Sequence, residues 1–247
     1  MHRCGMRKLT LFLLFLSFSS NCLAAIYVVQ KTTYVPAATG STMPFALPST
    51  PKVGDILIAC TSYSQYTTTR TIAAPNGNWN QIDNANGGVD DSMATWWYIV
   101  RQGDTGNYTF TISGTVEWYS GVLYEFSGVS PTAPINKHSI IAGTAATITT
   151  TAITPSIYGT YPLSCADTDP GSSQGQVLNS VSAGWKVDLS AVPQYHTTYS
   201  SYHGMTTDTV TAMSNTFTFS IAPANGALAA AILLTPQNHG FCRFLKE

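Results

Sequence analysis

The sequence predicts an all-β protein: a jelly-roll β-sandwich of two antiparallel sheets, built from two pseudo-repeated halves. Three observations support this. Short β-rich segments are separated by turn signals, helical periodicity is nearly absent after the first residues, and the second half of the chain echoes the first. The predicted strands are 56–63, 93–101, 108–113, 120–126, 147–153, 195–202, 216–221 and 228–234.

The amino-terminal residues are typical of a secretory signal peptide. Arg3, Arg7 and Lys8 form a cationic start, an apolar run of about ten residues follows, and small residues around Ala24 suit cleavage. Lipidation of Cys22 is the alternative form of export. Either route predicts a secreted protein or one at the cell surface.

The cleavage site around Ala24 also sets the expected domain organisation. We expect residues 1–24 to be the signal peptide, residues 25–236 to form one sandwich domain, and residues 237–247 to be a C-terminal tail. The apolar run is too short for a membrane span, which needs roughly 20 residues, and no later run approaches that length. The sequence therefore predicts no transmembrane segment in the mature chain.

Charge argues against a nucleic-acid partner. Only 9% of residues are charged, against roughly 25% in an ordinary soluble domain. Without the three cationic residues of the leader, 8 basic residues stand against 12 acidic ones, a formal charge of −4. Binding to phosphate backbones needs clustered Lys and Arg, whereas these eight are scattered, so polarity comes mainly from Thr, Ser, Asn and Gln.

An internal repeat relates the two halves. Gly54 and Cys60 in the first half match Gly159 and Cys165 in the second, with the same spacing. Further matches in the same order pair Trp79 with Trp185, 108–113 with 216–220, and 121–126 with 226–231. Two similar four-stranded halves would close on each other to bury their apolar faces. Cys60 and Cys165 form either a disulfide across the two halves or two buried free thiols.

Several motifs together resemble a loosely defined group of secreted bacterial and phage-associated β-sandwich modules. The resemblance covers about residues 50 to 236 and is carried by Val53-Gly54-Asp55-Ile56, Trp79, Trp96-Trp97-Tyr98, Gly103-Asp104, Tyr108-Thr109-Phe110 and Glu125-Phe126-Ser127-Gly128-Val129. Members of that group sit mostly in surface, adhesive or tail-associated proteins. The resemblance implies a fold and a location, and it assigns no functional residue.

Aromatic residues are the candidates for ligand binding. Trp96-Trp97 and Trp118-Tyr119 are adjacent pairs on predicted strands, so one member of each pair points outward. Flat exposed rings stack on sugar rings. Trp97 and Trp118, with Tyr199 and Tyr202 on the counterpart strand of the second half, are therefore predicted to bind a glycan. The alternative is that these rings are packing residues.

Calcium is the one cofactor that the sequence suggests. Asp167 and Asp169 alternate just before the turn Pro170-Gly171, and carboxylate oxygens are preferred calcium ligands. A solvated loop without metal is the alternative interpretation, because further acidic ligands are missing. No zinc motif is present.

These patterns predict a non-enzymatic binding or adhesion module whose partner is a glycan or another cell-surface ligand. A second hypothesis is a self-associating structural subunit of an extracellular assembly, in which an exposed Cys242 could join chains. A third is a polysaccharide hydrolase using Glu117 and Glu125. Eight residues of strand span about 26 Å, too far for a glycosidase pair, unless a hairpin at 119–121 shortens the distance.

Overall fold

The computed structural model describes residues 22–36, 39–64, 70–87, 91–169, 177–191, 197–206, 209–220, 222 and 226–239. All regular secondary structure in these segments is β-strand, which confirms the predicted fold class. The strands are β1 (Cys22–Leu23), β2 (Tyr27–Tyr34), β3 (Gly40–Ala46), β4 (Ile56–Ser64), β5 (Ile72–Ala73), β6 (Asn80–Asn86), β7 (Asp91–Ile99), β8 (Asn107–Val116), β9 (Tyr119–Ser127), β10 (Ile135–Gly143), β11 (Thr147–Thr149), β12 (Tyr161–Asp169), β13 (Leu178–Val181), β14 (Trp185–Ala191), β15 (Thr197–His203), β16 (Thr216–Phe219), β17 (Gly226–Leu234) and β18 (Asn238–His239).

The two halves have the same strand order. In the first half a five-stranded sheet runs β2-β9-β4-β7-β6 and a three-stranded sheet runs β3-β8-β5. In the second half the equivalent orders are β10-β17-β12-β15-β14 and β11-β16-β13. Each half has eight strands. The first pairs with the eighth (β2 with β9, β10 with β17), the second with the seventh (β3 with β8, β11 with β16), and the third with the sixth (β4 with β7, β12 with β15). This nested antiparallel pairing is the jelly-roll arrangement, and it occurs twice.

The layering is richer than the predicted pair of sheets. Each half is itself a two-layer sandwich, and the two five-stranded sheets pack against each other through an apolar cluster that draws on both halves. The outer strands β8, β11 and β16 overlap predicted strands. Strands β5 and β13 were missed because they have only two and four residues, and β3 because it is half polar. Strand β3 even contains Pro44, which an edge strand tolerates because it leaves no central ladder bond unmade.

Strand β4 shows why the inner strands read as continuous apolar runs. Ile56, Ile58 and Cys60 face the second half, whereas Leu57 and Ala59 face the outer sheet of their own half. A strand covered on both faces has no solvent side, so alternation between polar and apolar residues disappears. The outer strand β8, by contrast, alternates strictly between buried and exposed residues over most of its length.

The Ala-rich stretch near the end of the chain is a buried strand, as predicted, and not a helix. Strand β17 lies between β10 and β12 and is buried throughout. Its small side chains face the second half's outer sheet on one side and the first half on the other. Burial on both faces overrides the helix propensity of alanine.

Polar contacts tie the two halves together at what we call the seam, the contact between the five-stranded sheets. Lys31 of β2 pairs with Asp188 of β14, and His138 of β10 pairs with Asp83 of β6 at 2.8 Å. Strand β2 is equivalent to β10, and β6 is equivalent to β14. Each contact therefore joins the same pair of positions with the two halves exchanged, as expected for halves related by a pseudo-twofold axis.

Candidate ligand-binding site

Trp118 occupies the turn between β8 and β9, at one end of the first half. Its carbonyl accepts a hydrogen bond from the backbone N–H of Ser64 at 2.9 Å, which fixes the turn against the end of β4. The indole is partly buried. The hydrogen bond and the partial burial hold this residue in place at the turn.

A pocket of about 270 Å³ opens beside this ring and is called the Trp118 pocket. It is lined by Thr39, Ser64, Arg70, Thr115, Glu117 and Trp118. One aromatic face, three hydroxyls, a guanidinium and a carboxylate converge there. A small apolar wall with a few oriented polar groups is the usual composition of a small-molecule site.

Arg70 is positioned by its own contacts. Its Nη1 donates to the carbonyl of Ser64 at 3.0 Å, and its own carbonyl accepts from the Tyr63 hydroxyl at 3.3 Å. Glu117 on the other side is exposed. The pocket thus combines the hydrogen-bonded guanidinium of Arg70 with the exposed carboxylate of Glu117. This pair suits a neutral ligand that has both hydrogen-bond donors and acceptors.

Trp97 is partly buried. Alternation along β7 sends Trp96 into the interior of the first half, where its Nε1 donates to the Thr61 hydroxyl at 3.3 Å. Trp97 points the other way, as predicted, but that face packs on the second half, so the ring is partly buried in the seam. The second half covers part of this face of the strand, and ligand binding at Trp97 stays a prediction.

The two tyrosines of β15 also lie on opposite faces. Tyr199 is 5% exposed and packs on Phe219 inside the second half. Tyr202 is partly buried at the seam and stacks on Tyr161 with ring centroids 6.1 Å apart. Tyr199 is therefore a packing residue, a correction to the exposed ring expected from the sequence, because a second sheet covers its face of the strand. Neither tyrosine contributes to the Trp118 pocket.

Asp167 and Asp169 lie in β12 and not in a solvated loop. Both are buried, at 0% and 4% exposure. By alternation they share the face of Cys165, which points towards the first half. The alternative of a solvated loop is therefore wrong for these two residues. Pro170-Gly171 lie outside the described residues, and calcium binding stays a prediction. Within the described segments no three His, Cys, Asp or Glu side chains form a group that could hold a metal ion.

Cys60 and Cys165 are joined by a disulfide across the seam, with Cα atoms 6.6 Å apart. They sit on β4 and β12, each the central strand of its five-stranded sheet. Equivalent residues meet only near a pseudo-twofold axis, so the bond marks that axis. Cys242 lies outside the described residues.

Glu117 and Glu125 do not form a pair. Glu117 precedes β9, and Glu125 lies near the far end of the same uninterrupted strand. Both oxygens of the buried Glu125 carboxylate are occupied: Oε1 accepts from the Lys52 backbone N–H at 2.7 Å and Oε2 from Gln30 Nε2 at 2.5 Å. No hairpin at 119–121 shortens their separation.

A second pocket, which the sequence did not indicate, lies at that far end of β9. It has a volume of about 580 Å³, and Asp55 forms part of its lining. Burial and the neighbouring Glu125 carboxylate raise the pKa of Asp55, while the Ser127 hydroxyl and Lys52 lower it. An Asp after a Gly at the start of a strand is an ordinary turn residue, so no sequence signal distinguished it.

Comparison with known proteins adds no assignment. In the described part of the chain there is no helix long and apolar enough to cross a membrane. The resemblance to secreted β-sandwich modules stays a prediction. No protein-family model, curated protein or solved structure matches this chain.

Proposed function

We propose that the protein is an exported, non-catalytic binding module that recognises carbohydrate through the Trp118 pocket. The observation that carries the proposal is the partly buried Trp118 ring at the wall of a pocket that also offers Arg70 and Glu117. The apolar face of a sugar ring stacks on an indole, while its hydroxyls need both donors and acceptors nearby. Arg70 supplies donors and Glu117 supplies acceptors.

The size of the pocket limits the ligand. About 270 Å³ is just below the usual range for ligand pockets, which is roughly 300–1,000 Å³. We therefore propose recognition of one sugar residue, such as the terminal residue of a surface glycan. The pocket lies at a turn, where β4 ends and β9 begins, so such a residue enters at the end of the sheet without rearrangement of the core.

Two features support export. The cationic, apolar and small-residue pattern of residues 1–24 is that of a signal peptide. The disulfide between Cys60 and Cys165 is buried and joins the two halves. Structural disulfides form and persist in oxidising compartments, so the bond fits a secreted or cell-surface location.

A glycan array tests the proposal with the protein starting at Ala25. We expect selective binding, weakened about tenfold or more in Trp118→Ala because the stacking surface is lost. Arg70→Gln should weaken it as well. Tyr158→Ala is the matched control, because Tyr158 is a 59% exposed aromatic that does not line the pocket. Binding that survives Trp118→Ala, or a blank array, would count against this function.

One observation favours the alternative, a structural subunit of an extracellular assembly. Strand β2 is an edge strand of its sheet and exposes Tyr27 and Val29. Unprotected apolar edges pair with other chains. If this function holds, the protein self-associates at high concentration in light scattering, and Val29→Lys shifts it to monomer. A monomer at all concentrations would exclude it.

A polysaccharide hydrolase is the least supported function, since Glu117 and Glu125 lie at opposite ends of β9. It predicts product release that Glu125→Gln abolishes. The absence of turnover on a broad panel of polysaccharides would remove it.

A further inference from the structure

The second pocket, here called the Asp55 pocket, has a composition unlike that of the Trp118 pocket. It lies where β2, β9 and the start of β4 meet, and its wall includes Tyr27, Lys52, Asp55, Ser127 and Gln237. Tyr27, Ser127 and Asp55 stand in a row across the sheet, since Tyr27 pairs with Ser127 and β4 lies on the other side of β9. The pocket is therefore built on three neighbouring strands.

A carboxyl group in this wall has an unused acceptor. Asp55 is 7% exposed, and its Oδ2 is enclosed without a hydrogen-bond partner among the described residues. A buried polar atom without a partner costs free energy. Glu125 already accepts hydrogen bonds from Gln30 and the Lys52 backbone through its two oxygens, and its own side-chain contact with Asp55 raises the pKa of Asp55.

The charges around Asp55 favour a cation as the missing partner. Two carboxyl groups, those of Asp55 and Glu125, interact at this point, and the opposing cation is Lys52, whose side chain is exposed and whose effect on Asp55 is the weakest of those acting there. An ammonium group placed at Oδ2 would gain a charge-assisted hydrogen bond in a partly desolvated site. The ring of Tyr27, 56% exposed, stands at the rim of the same pocket and offers a face to a cation.

We propose that the Asp55 pocket is a second binding site, specific for a small ligand that carries a primary ammonium group and hydrogen-bonds to Asp55 through it. Its volume of about 580 Å³ accommodates a ligand of one or two rings. The site is independent of carbohydrate binding at Trp118, which lies beyond the other end of β9.

The same chemistry has a second source within the chain. Ala24 and Ala25 line the Asp55 pocket. Cleavage of the predicted leader after Ala24 would create an α-ammonium group on Ala25. The experiment must therefore separate a free ligand from the protein's own amino terminus.

Glucosamine is the probe, and N-acetylglucosamine is the matched neutral control because it has the same ring without the charge. Both are titrated into Trp118→Ala protein starting at Ala25, so that the first pocket does not contribute, and the amide NMR signals of Ser127 and Gly128 are followed. We expect glucosamine to shift these signals with saturation and N-acetylglucosamine to leave them unchanged.

Two substitutions should change the affinity for glucosamine in opposite directions. Asp55→Asn keeps the shape of the side chain and should weaken glucosamine binding by about tenfold, since an ionic hydrogen bond is lost. Lys52→Gln removes the competing cation and should strengthen binding severalfold. Equal binding of both sugars, or no response to either substitution, would overturn the proposal.

The last part of the experiment uses protein that is acetylated at the α-amine of Ala25. Glucosamine should bind this form and the free-amine form alike. Binding seen only after acetylation would show that the protein's own terminus occupies the site, and the proposal of a ligand site would then be wrong. A blank glycan array leaves these outcomes unaffected, because they are read at Ser127 and Gly128.

Discussion

The Tyr124 hydroxyl is one of the polar groups that link the two halves. Its Oη donates to Asp188 Oδ2 at 2.9 Å and lies 2.5 Å from the Ser200 hydroxyl, and Asp188 in turn pairs with Lys31. Burial raises the pKa of Tyr124 well above its ordinary value, so this hydroxyl is protonated at neutral pH. At neutral pH Tyr124 therefore keeps the proton that it donates to Asp188.

We expect Tyr124→Phe to lower the free energy of unfolding by about 1–2 kcal/mol, because the partly buried Asp188 and the buried Ser200 each lose a partner. Urea unfolding followed by fluorescence measures the difference. Tyr158→Phe removes a hydroxyl from a 59% exposed residue and serves as the control with no expected change. Equal stability of the two variants would contradict a structural role for this network.

Asp55 should make stability depend on pH. The fold raises its pKa above the ordinary 3.8, chiefly through burial and the Glu125 charge. The native state then holds the proton more tightly than the unfolded chain, so the free energy of unfolding falls as pH rises from 3.8 through the folded-state pKa.

Asp55→Asn should remove this loss, because the amide does not ionise. The variant should gain stability over the parent progressively across that pH window and keep the gain above it. Urea unfolding of both proteins between about pH 3 and 7 measures it. A difference that is constant over the whole range would show that the carboxyl group does not titrate differently in the two states.

At the scale of the element, β17 begins at a contact that only glycine permits. Gly226 has φ +143°, and a Cβ there would stand 2.5 Å from the carbonyl oxygen of Gly87, which follows β6. A side chain at this position forces the two halves apart and strains the backbone.

We expect Gly226→Ala to lower the free energy of unfolding by about 2 kcal/mol. Gly77→Ala is the matched control, because a Cβ at Gly77 meets nothing within 4 Å. The control should be neutral or slightly stabilising, since alanine restricts the unfolded chain. Thermal unfolding of the two variants compares them, and equal midpoints would exclude a close approach at Gly226.

The inner strands were the elements that the sequence predicted well. The predicted 56–63, 120–126 and 228–234 correspond to β4, β9 and β17 within two residues at each end. The missed strands have weaker patterns for identifiable reasons. Strands β2 and β10 are edges with mixed polarity, and β12 contains Pro162 and two buried aspartates.

The repeat was correct in outline and displaced in one detail. Val122 pairs with Cys60 and Ala230 pairs with Cys165, so Val122 corresponds to Ala230 rather than to Ala227. The shared Gly121 and Gly226 suggested the displaced match. Pairing partners decide register in a sheet, and they are not visible in one strand alone.

At the scale of the whole molecule, the exposure of each predicted aromatic ring depends on what covers its face of the strand. Alternation predicted that Trp97 and Tyr202 would point away from Trp96 and Tyr199, and they do. Alternation cannot tell solvent from a second half of the domain, and all four predicted rings are buried to some degree: Tyr199 is buried, and Trp97, Trp118 and Tyr202 are partly buried. Trp118 differs because it sits in a turn and not within a sheet.

The disulfide between Cys60 and Cys165 should contribute to the free energy of unfolding of the whole molecule. It joins residues 105 apart in the sequence, and closing a loop of this length restricts the unfolded chain strongly. We expect Cys60→Ala/Cys165→Ala to lower the free energy of unfolding by about 2–5 kcal/mol. Urea unfolding with and without reductant measures it. Reductant should destabilise the parent and leave the double variant unchanged, and an effect of reductant on both would contradict this assignment.

The position of the Trp118 turn has a mechanical consequence. Trp118 precedes β9, and at the other end of that nine-residue strand Gly128 accepts a hydrogen bond from Gln237, beside the paired segments β1 and β18. A pull between a ligand at Trp118 and an attachment at β1 or β18 would run along β9. Ladder hydrogen bonds lie across the strands, so this load shears β9 from β2 and β4 together, the direction in which a sheet resists tension best.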